Sequence, residues 1–182
     1  MLHVLDIAMN SVSAGSRTVK ISIHEQPADD LLTLLVADNG CGMSAEMVAR
    51  VRDAFATTKT KKSGWVAFGI ALLQGTVDLV DGSLDVLSRE GVGTLVWAKL
   101  PYHHPDRPPL GSVAESLQPL LVGCDGVDVC FTHRLGSHGY RVDTRPVRRA
   151  LGETYHTRSV QTWLVEQIRA GELALAEERG LS

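Results

Sequence analysis

The first hundred residues change their hydrophobic period several times. Leu2, Leu5, Met9 and Val12 recur at helical spacing, with His3, Asp6, Asn10 and Ser13 as a polar stripe beside them. Ala14-Gly15-Ser16 ends that helix, and Val19, Ile21 and Ile23 then alternate with Lys20, Ser22 and His24, as on a half-buried strand. Asp29-Asp30 turns the chain into a second strand at about 31–37. Ser44 is placed to cap a helix over roughly 45–53, followed by a polar, basic loop from Thr57 to Gly64. Gly69 opens an apolar helix running to about Val80, which Asp81-Gly82 ends. Strands at 83–88 and 94–100 flank the turn Glu90-Gly91-Val92-Gly93.

Pro105, Pro108 and Pro109 make 102–109 unsuited to a helix or a central strand, which predicts a linker between a domain at 1–101 and an extension at 110–182. The extension reads as a helix at 111–122, a hairpin of 127–133 with 139–144, and helices at 145–151 and 158–178. Val127, Val129 and Phe131 alternate with Asp128, Cys130 and Thr132, an amphipathic hairpin expected to pack on the first domain or on a partner. Trp163, Leu164 and Ile168 are assigned to the core, with a dimer contact as the alternative. The predicted fold class is α+β: a two-layer α/β sandwich, with a mixed, largely antiparallel sheet and helices on one face, followed by a small α+β extension.

Composition narrows the function. A chain of 182 residues with 44% hydrophobic side chains is long enough for a substantial core. A net charge of -3 gives no broad basic field, which argues against nucleic acid or anionic lipid and for a small-molecule or protein ligand. Cys41, Cys124 and Cys130 lack metal-ligand spacing and read as reduced thiols. With no apolar stretch of about 18 residues and no basic flank before an apolar run at the start, the expectation is a soluble, cytoplasmic protein.

Two clusters offer chemistry. Asp38-Asn39-Gly40 follows a strand and by itself reads as a hairpin turn, since Asn and Gly tolerate positive φ. Asp6 and Asn10, four residues apart, share one helix face and can meet one ligand, although an isolated pair reads as a solvated stripe. A calcium loop is excluded, because Gly42, Ser44 and Ala49 stand where its ligands belong. Neither a P-loop nor a Rossmann glycine fingerprint is present.

Taken together and in order, these segments resemble the GHKL superfamily, the ATP-binding fold shared by gyrases, certain chaperones, histidine kinases and mismatch-repair proteins. The resemblance covers about residues 2–101 and implies ATP and Mg²⁺ as ligands. Leu5 to Ser16 is similar to the family's asparagine helix. It implies that Asn10 coordinates Mg²⁺ on the ATP phosphates, and Asp6 stands where ATP-hydrolysing members carry a water-activating glutamate. Asp38-Asn39-Gly40-Cys41-Gly42-Met43 looks like the D-x-G-x-G box. Asp38 would accept the adenine amino group, Gly40 and Gly42 would admit the base, and Met43 would form an apolar wall. A carboxylate there selects adenine, because guanine would face it with an acceptor and leave it unpaired. Phe55 to Lys59 and Phe68 to Leu73 resemble the lid and the glycine-rich box, which implies roles at the phosphates for Thr57, Thr58, Lys59 and Gly69. This box departs from the family's Gly-x-Gly, reading Ala67-Phe68-Gly69. Gly91-Val92-Gly93-Thr94 is similar to the closing turn, in which Thr94 supports adenine.

Only five residues precede Asp6, so the phosphoacceptor hairpin of a sensor kinase is not expected upstream, and His3, His103 and His104 read as surface histidines. The tail is also unlike the strand-rich transducer of the DNA-acting relatives. The first functional reading is an ATP-binding protein in bacterial regulation that couples Mg-ATP to hydrolysis or phosphotransfer, as an ATPase or protein kinase. The second is a non-catalytic regulatory module whose 54–68 lid closes on ATP to engage a protein partner. A homodimer is compatible with either.

Overall fold

The fold was analysed in a computed structural model that describes residues 2–56 and 68–181. Strand β1 (Thr18–Gln26) lies at the middle of the sheet, antiparallel to β2 (Leu31–Asp38) and parallel to β5 (Asp128–Leu135). With β3 (Ser83–Arg89), β4 (Gly93–Pro101) and β6 (His138–Asp143), the described residues form a six-stranded sheet in the order β3-β4-β2-β1-β5-β6. All neighbours are antiparallel except β1 and β5.

The registers explain why one face is apolar. Ile21 pairs with Val36 on one side and Phe131 on the other, Val36 with Val96, and Val96 with Val86. All five are buried, so the alternation in each strand falls on the same side of the sheet. On the opposite side Lys20, Asp85 and Lys99 are exposed.

Helices α1 (Leu2–Ser13), α2 (Ala45–Ala56), α3 (Phe68–Leu79), α4 (Val113–Gly123), α5 (Thr144–Leu151) and α6 (Arg158–Leu181) complete the structure. Ile7 and Ala8 of α1, Val77 of α3, Leu117 of α4 and Leu164 and Ile168 of α6 join the buried strand residues in one core. The layered α+β reading is therefore correct, and the helix after Ser44 runs three residues further than its periodicity suggests. Trp163 lies 48% exposed while Leu164 and Ile168 are fully buried, which divides that triplet between surface and core.

Residues on either side of 102–109 share this sheet and core. β2 has β1 and β4 as neighbours, so the second edge of β1 accepts β5, and Asp128 N–H donates to Arg17 C=O at its start.

The alternation that buries Val19, Ile21 and Ile23 also buries Glu25, and the register sets His133 beside Ile23, two residues earlier and on the same face. Fully buried His133 places Nε2 2.8 Å from Glu25 Oε1 and Nδ1 2.5 Å from Glu172 Oε1. Tyr140 donates to the same Glu172 oxygen at 2.5 Å, and Arg179 of α6 pairs with Glu25. Two carboxylates facing the two ring nitrogens favour the imidazolium, so the His133 pKa is raised although burial opposes this. The Glu25 pKa is lowered against its own burial, by His133 and Arg179. Burial and Glu172 raise the Tyr140 phenol, which stays neutral. This network ties α6 to the sheet, and the sequence reading did not anticipate it.

Candidate functional site

A cavity of about 480 Å³ lies between the second half of α1, the end of β2 and the turn joining β3 to β4. Ile7, Val36, Met43, Ile70 and Val96 give it apolar walls, while Asn10, Asp38 and Thr94 supply polar groups.

Asp38 ends β2 half-buried, and its carboxylate is anchored from three directions. Ser11 Oγ donates to Oδ2 at 2.8 Å, Ser16 Oγ to Oδ1 at 3.1 Å and Gly40 N–H to Oδ1 at 2.8 Å. A carboxylate offers about four lone-pair positions, so three bonds leave one, on Oδ2, for a further donor. Asn39 acts elsewhere: its side-chain oxygen accepts the N–H groups of Arg17 at 2.9 Å and Thr18 at 2.8 Å, pinning the start of β1. Positive φ falls on Gly42, at 65°, and not on Asn39 or Gly40, which moves the bend two residues later than the hairpin reading places it.

The glycines let backbones touch. A Cβ on Gly42 would lie 2.0 Å from Arg89 O, and one on Gly93, whose φ is 135°, 2.0 Å from Asp38 O. A Cβ on Gly40 would lie 2.7 Å from Ser16 Oγ. The Asp38 loop and the closing turn therefore pack main chain to main chain, with Gly91 N–H donating to Cys41 C=O at 2.7 Å. Ser88 joins them: its hydroxyl accepts Met43 N–H at 2.8 Å and lies 2.8 Å from Thr94 Oγ1. The sequence reading used Ser16 only as part of a helix stop and gave Ser11 and Ser88 no role, because single serines carry no periodic signal.

The structure brings Asn10, Asp38, Gly42, Met43 and Thr94 to one cavity. Gly40 lies behind Asp38 as its hydrogen-bond donor. Asp6 and Gly69 meet each other instead: a Cβ on Gly69 would come 2.7 Å from Asp6 Cβ, so the glycine lets α3 cross α1, and neither residue lines the cavity. Thr57, Thr58 and Lys59, like Ala67, lie outside the described residues. Chemically, the site combines an apolar cavity with a fixed acceptor, Asp38, and a carboxamide, Asn10, which is next to Ser11 on α1.

The family model for histidine kinase-, DNA gyrase B- and HSP90-like ATPases matches residues 1–104. The chain is 31% identical over 111 residues to the non-motile and phage-resistance protein of Caulobacter vibrioides, covering 57% of this chain and 13% of that protein. It is 33% identical over 99 residues to the signal transduction histidine-protein kinase AtoS of Escherichia coli, covering 54% of this chain and 16% of that kinase. It thus spans under a fifth of the length of these relatives. Among solved structures, the Aquifex aeolicus MutL ATPase domain complexed with ADP aligns with a TM-score of 0.46 at 17% identity, over 85% of this chain and 67% of that one.

Proposed function

The chain belongs to the histidine kinase-, DNA gyrase B- and HSP90-like ATPase family, and we propose that it binds ATP in the Asp38 cavity and couples Mg-ATP to hydrolysis or phosphotransfer. The observation that carries this reading is the anchored Asp38 carboxylate, which lines a cavity with apolar walls and keeps one acceptor position on Oδ2 open. That position suits the adenine amino group, and Ile7, Met43 and Val96 suit the faces of the ring. Asn10, which lines the same cavity, would hold Mg²⁺, which supplies charge neutralisation at the phosphates when bound. Residues 1–101 form the nucleotide-binding part and 110–182 the extension, with Thr57, Thr58, Lys59 and Gly69 assigned to the phosphate side and Asp6 to water activation.

The placement of Asp6 favours a second reading, a regulatory module that binds ATP without turnover and presents a nucleotide-dependent surface to a protein partner. Its Cβ packs against Gly69 and it does not line the cavity.

ATP and GTP affinities, and Mg²⁺-dependent turnover, of wild type, Asp38→Asn and Asp6→Asn test both readings. Tight ATP binding that Asp38→Asn removes supports the site, and equal affinity for GTP overturns it. Turnover lost in Asp6→Asn supports the enzyme, whereas tight binding with no turnover in wild type leaves the regulatory module.

A further inference from the structure

A second cavity, of about 640 Å³, opens at the other end of α1 and shares no lining residue with the first. Its floor is apolar, formed by Val4, Leu32, Leu73 and Leu100, and its rim is polar, with Arg107 and Ser112. The separation follows from helix geometry: His3 lines this cavity and Asn10 the other, and seven residues of α-helix span about 10 Å.

The polar groups at this cavity mostly favour a negative charge. The side chain of Arg107 is held in place, with Nε donating to Tyr102 C=O at 2.7 Å and the guanidinium carbon 4.9 Å from the centre of the Tyr102 ring. A guanidinium has five N–H donors, so fixing one leaves the fork available for a carboxylate. Ser112 caps α4, accepting Glu115 N–H at 3.4 Å, so the positive end of that helix adjoins the rim. His3 Nδ1 is buried without a hydrogen-bond partner, whereas the other buried side-chain nitrogen and oxygen atoms among the described residues are paired. Burial lowers the His3 pKa, with Asp6 pulling the other way. Glu115, exposed on the same rim, opposes an anion only from solvent.

We propose that this cavity is a ligand site for an apolar monocarboxylate, with an aliphatic or aromatic body on the leucine floor and the acid group on Arg107 and the first turn of α4. His3 lines the same cavity, which makes its imidazole a reporter of occupancy. The size falls within the usual range for small-molecule pockets, about 300–1,000 Å³. This site does not depend on the nucleotide reading, because its residues are separate.

Octanoate is the probe, with 1-octanol as its uncharged counterpart, titrated into the full chain by calorimetry while the His3 imidazole is followed by NMR. Octanoate should saturate, shift the His3 resonances and bind at least about tenfold tighter than 1-octanol. Arg107→Gln should reduce octanoate affinity about tenfold and bring it level with 1-octanol. Thr76→Trp, which fills the cavity from α3, should abolish binding of both, and circular dichroism and urea unfolding establish that this variant is folded. Glu115→Gln should leave octanoate affinity unchanged or raise it. The proposal is overturned if octanoate does not saturate, if 1-octanol binds equally well, if Arg107→Gln has no effect, or if Glu115→Gln weakens binding.

Discussion

Ser11 Oγ donates a 2.8 Å hydrogen bond to Asp38 Oδ2, joining the third turn of α1 to the end of β2. The same hydroxyl lies 3.2 Å from Ile7 C=O, but it has one proton, and the charged acceptor takes the shorter bond. The helix that brings Asn10 to the cavity thus also fixes the carboxylate. Ser11→Ala should cost about 1 kcal/mol of stability in urea unfolding and weaken ATP binding about fivefold by calorimetry, because Asp38 loses one of its three anchors.

Asp38→Asn keeps the shape and replaces one acceptor oxygen with a donor amide. ATP affinity should fall about tenfold to a hundredfold, the usual value of a hydrogen bond to a charged group, with GTP binding little changed. Equal losses for both nucleotides would place the base elsewhere.

Gly91 and Gly93 form an internal comparison. A side chain on Gly91 meets open space at φ 75°, whereas one on Gly93 meets Asp38 O at 2.0 Å. Gly91→Ala should cost about 1–2 kcal/mol for the left-handed backbone alone. Gly93→Ala should cost at least about 3 kcal/mol and also weaken ATP binding, since the turn has to move away from the Asp38 loop. Urea midpoints and ATP titrations of the two variants check this.

The His133 network makes stability depend on pH in both directions. Glu25, with a lowered pKa, contributes stability that is present above its ordinary value of 4.5 and is lost as pH falls through its folded pKa. His133, with a raised pKa, contributes stability that is fully present below 6.5 and is lost as pH rises through its folded pKa. The network should therefore stabilise most between about 4.5 and 6.5. His133→Gln should cost about 3–5 kcal/mol at pH 6 and remove the decline on the alkaline side, as measured by urea unfolding across pH.

Chelating Mg²⁺ should weaken ATP binding in wild type but have little further effect in Asn10→Ala, because the two changes remove the same interaction. Calorimetry with and without EDTA checks this.

The order of elements was legible because each change of period is local. Helical spacing at Leu2, Leu5 and Met9, alternation at Val19, Ile21 and Ile23, and the glycine turns at 82 and 91–93 all act within a few residues. The composition of the cavity was partly legible for the same reason: Asn10, Asp38, Gly42, Met43 and Thr94 sit in short motifs, and the structure brings all five together. Asp6 was harder to place. Its four-residue spacing from Asn10 puts both on one side of α1, but the close crossing of α3 at Gly69 decides what each one meets.

The sequence by itself determined the helices and strands, the apolar face of each strand and the acid at the end of β2, because these depend on side-chain period and turn chemistry. Only the tertiary structure decided that β5 lies parallel to β1, that Glu25 and His133 share a buried network with Glu172 and Arg179, and that Ser11 and Ser16 hold Asp38. Those contacts join residues up to 154 positions apart, so they arise from which sheet edge is free and how the registers align, information that no local pattern contains.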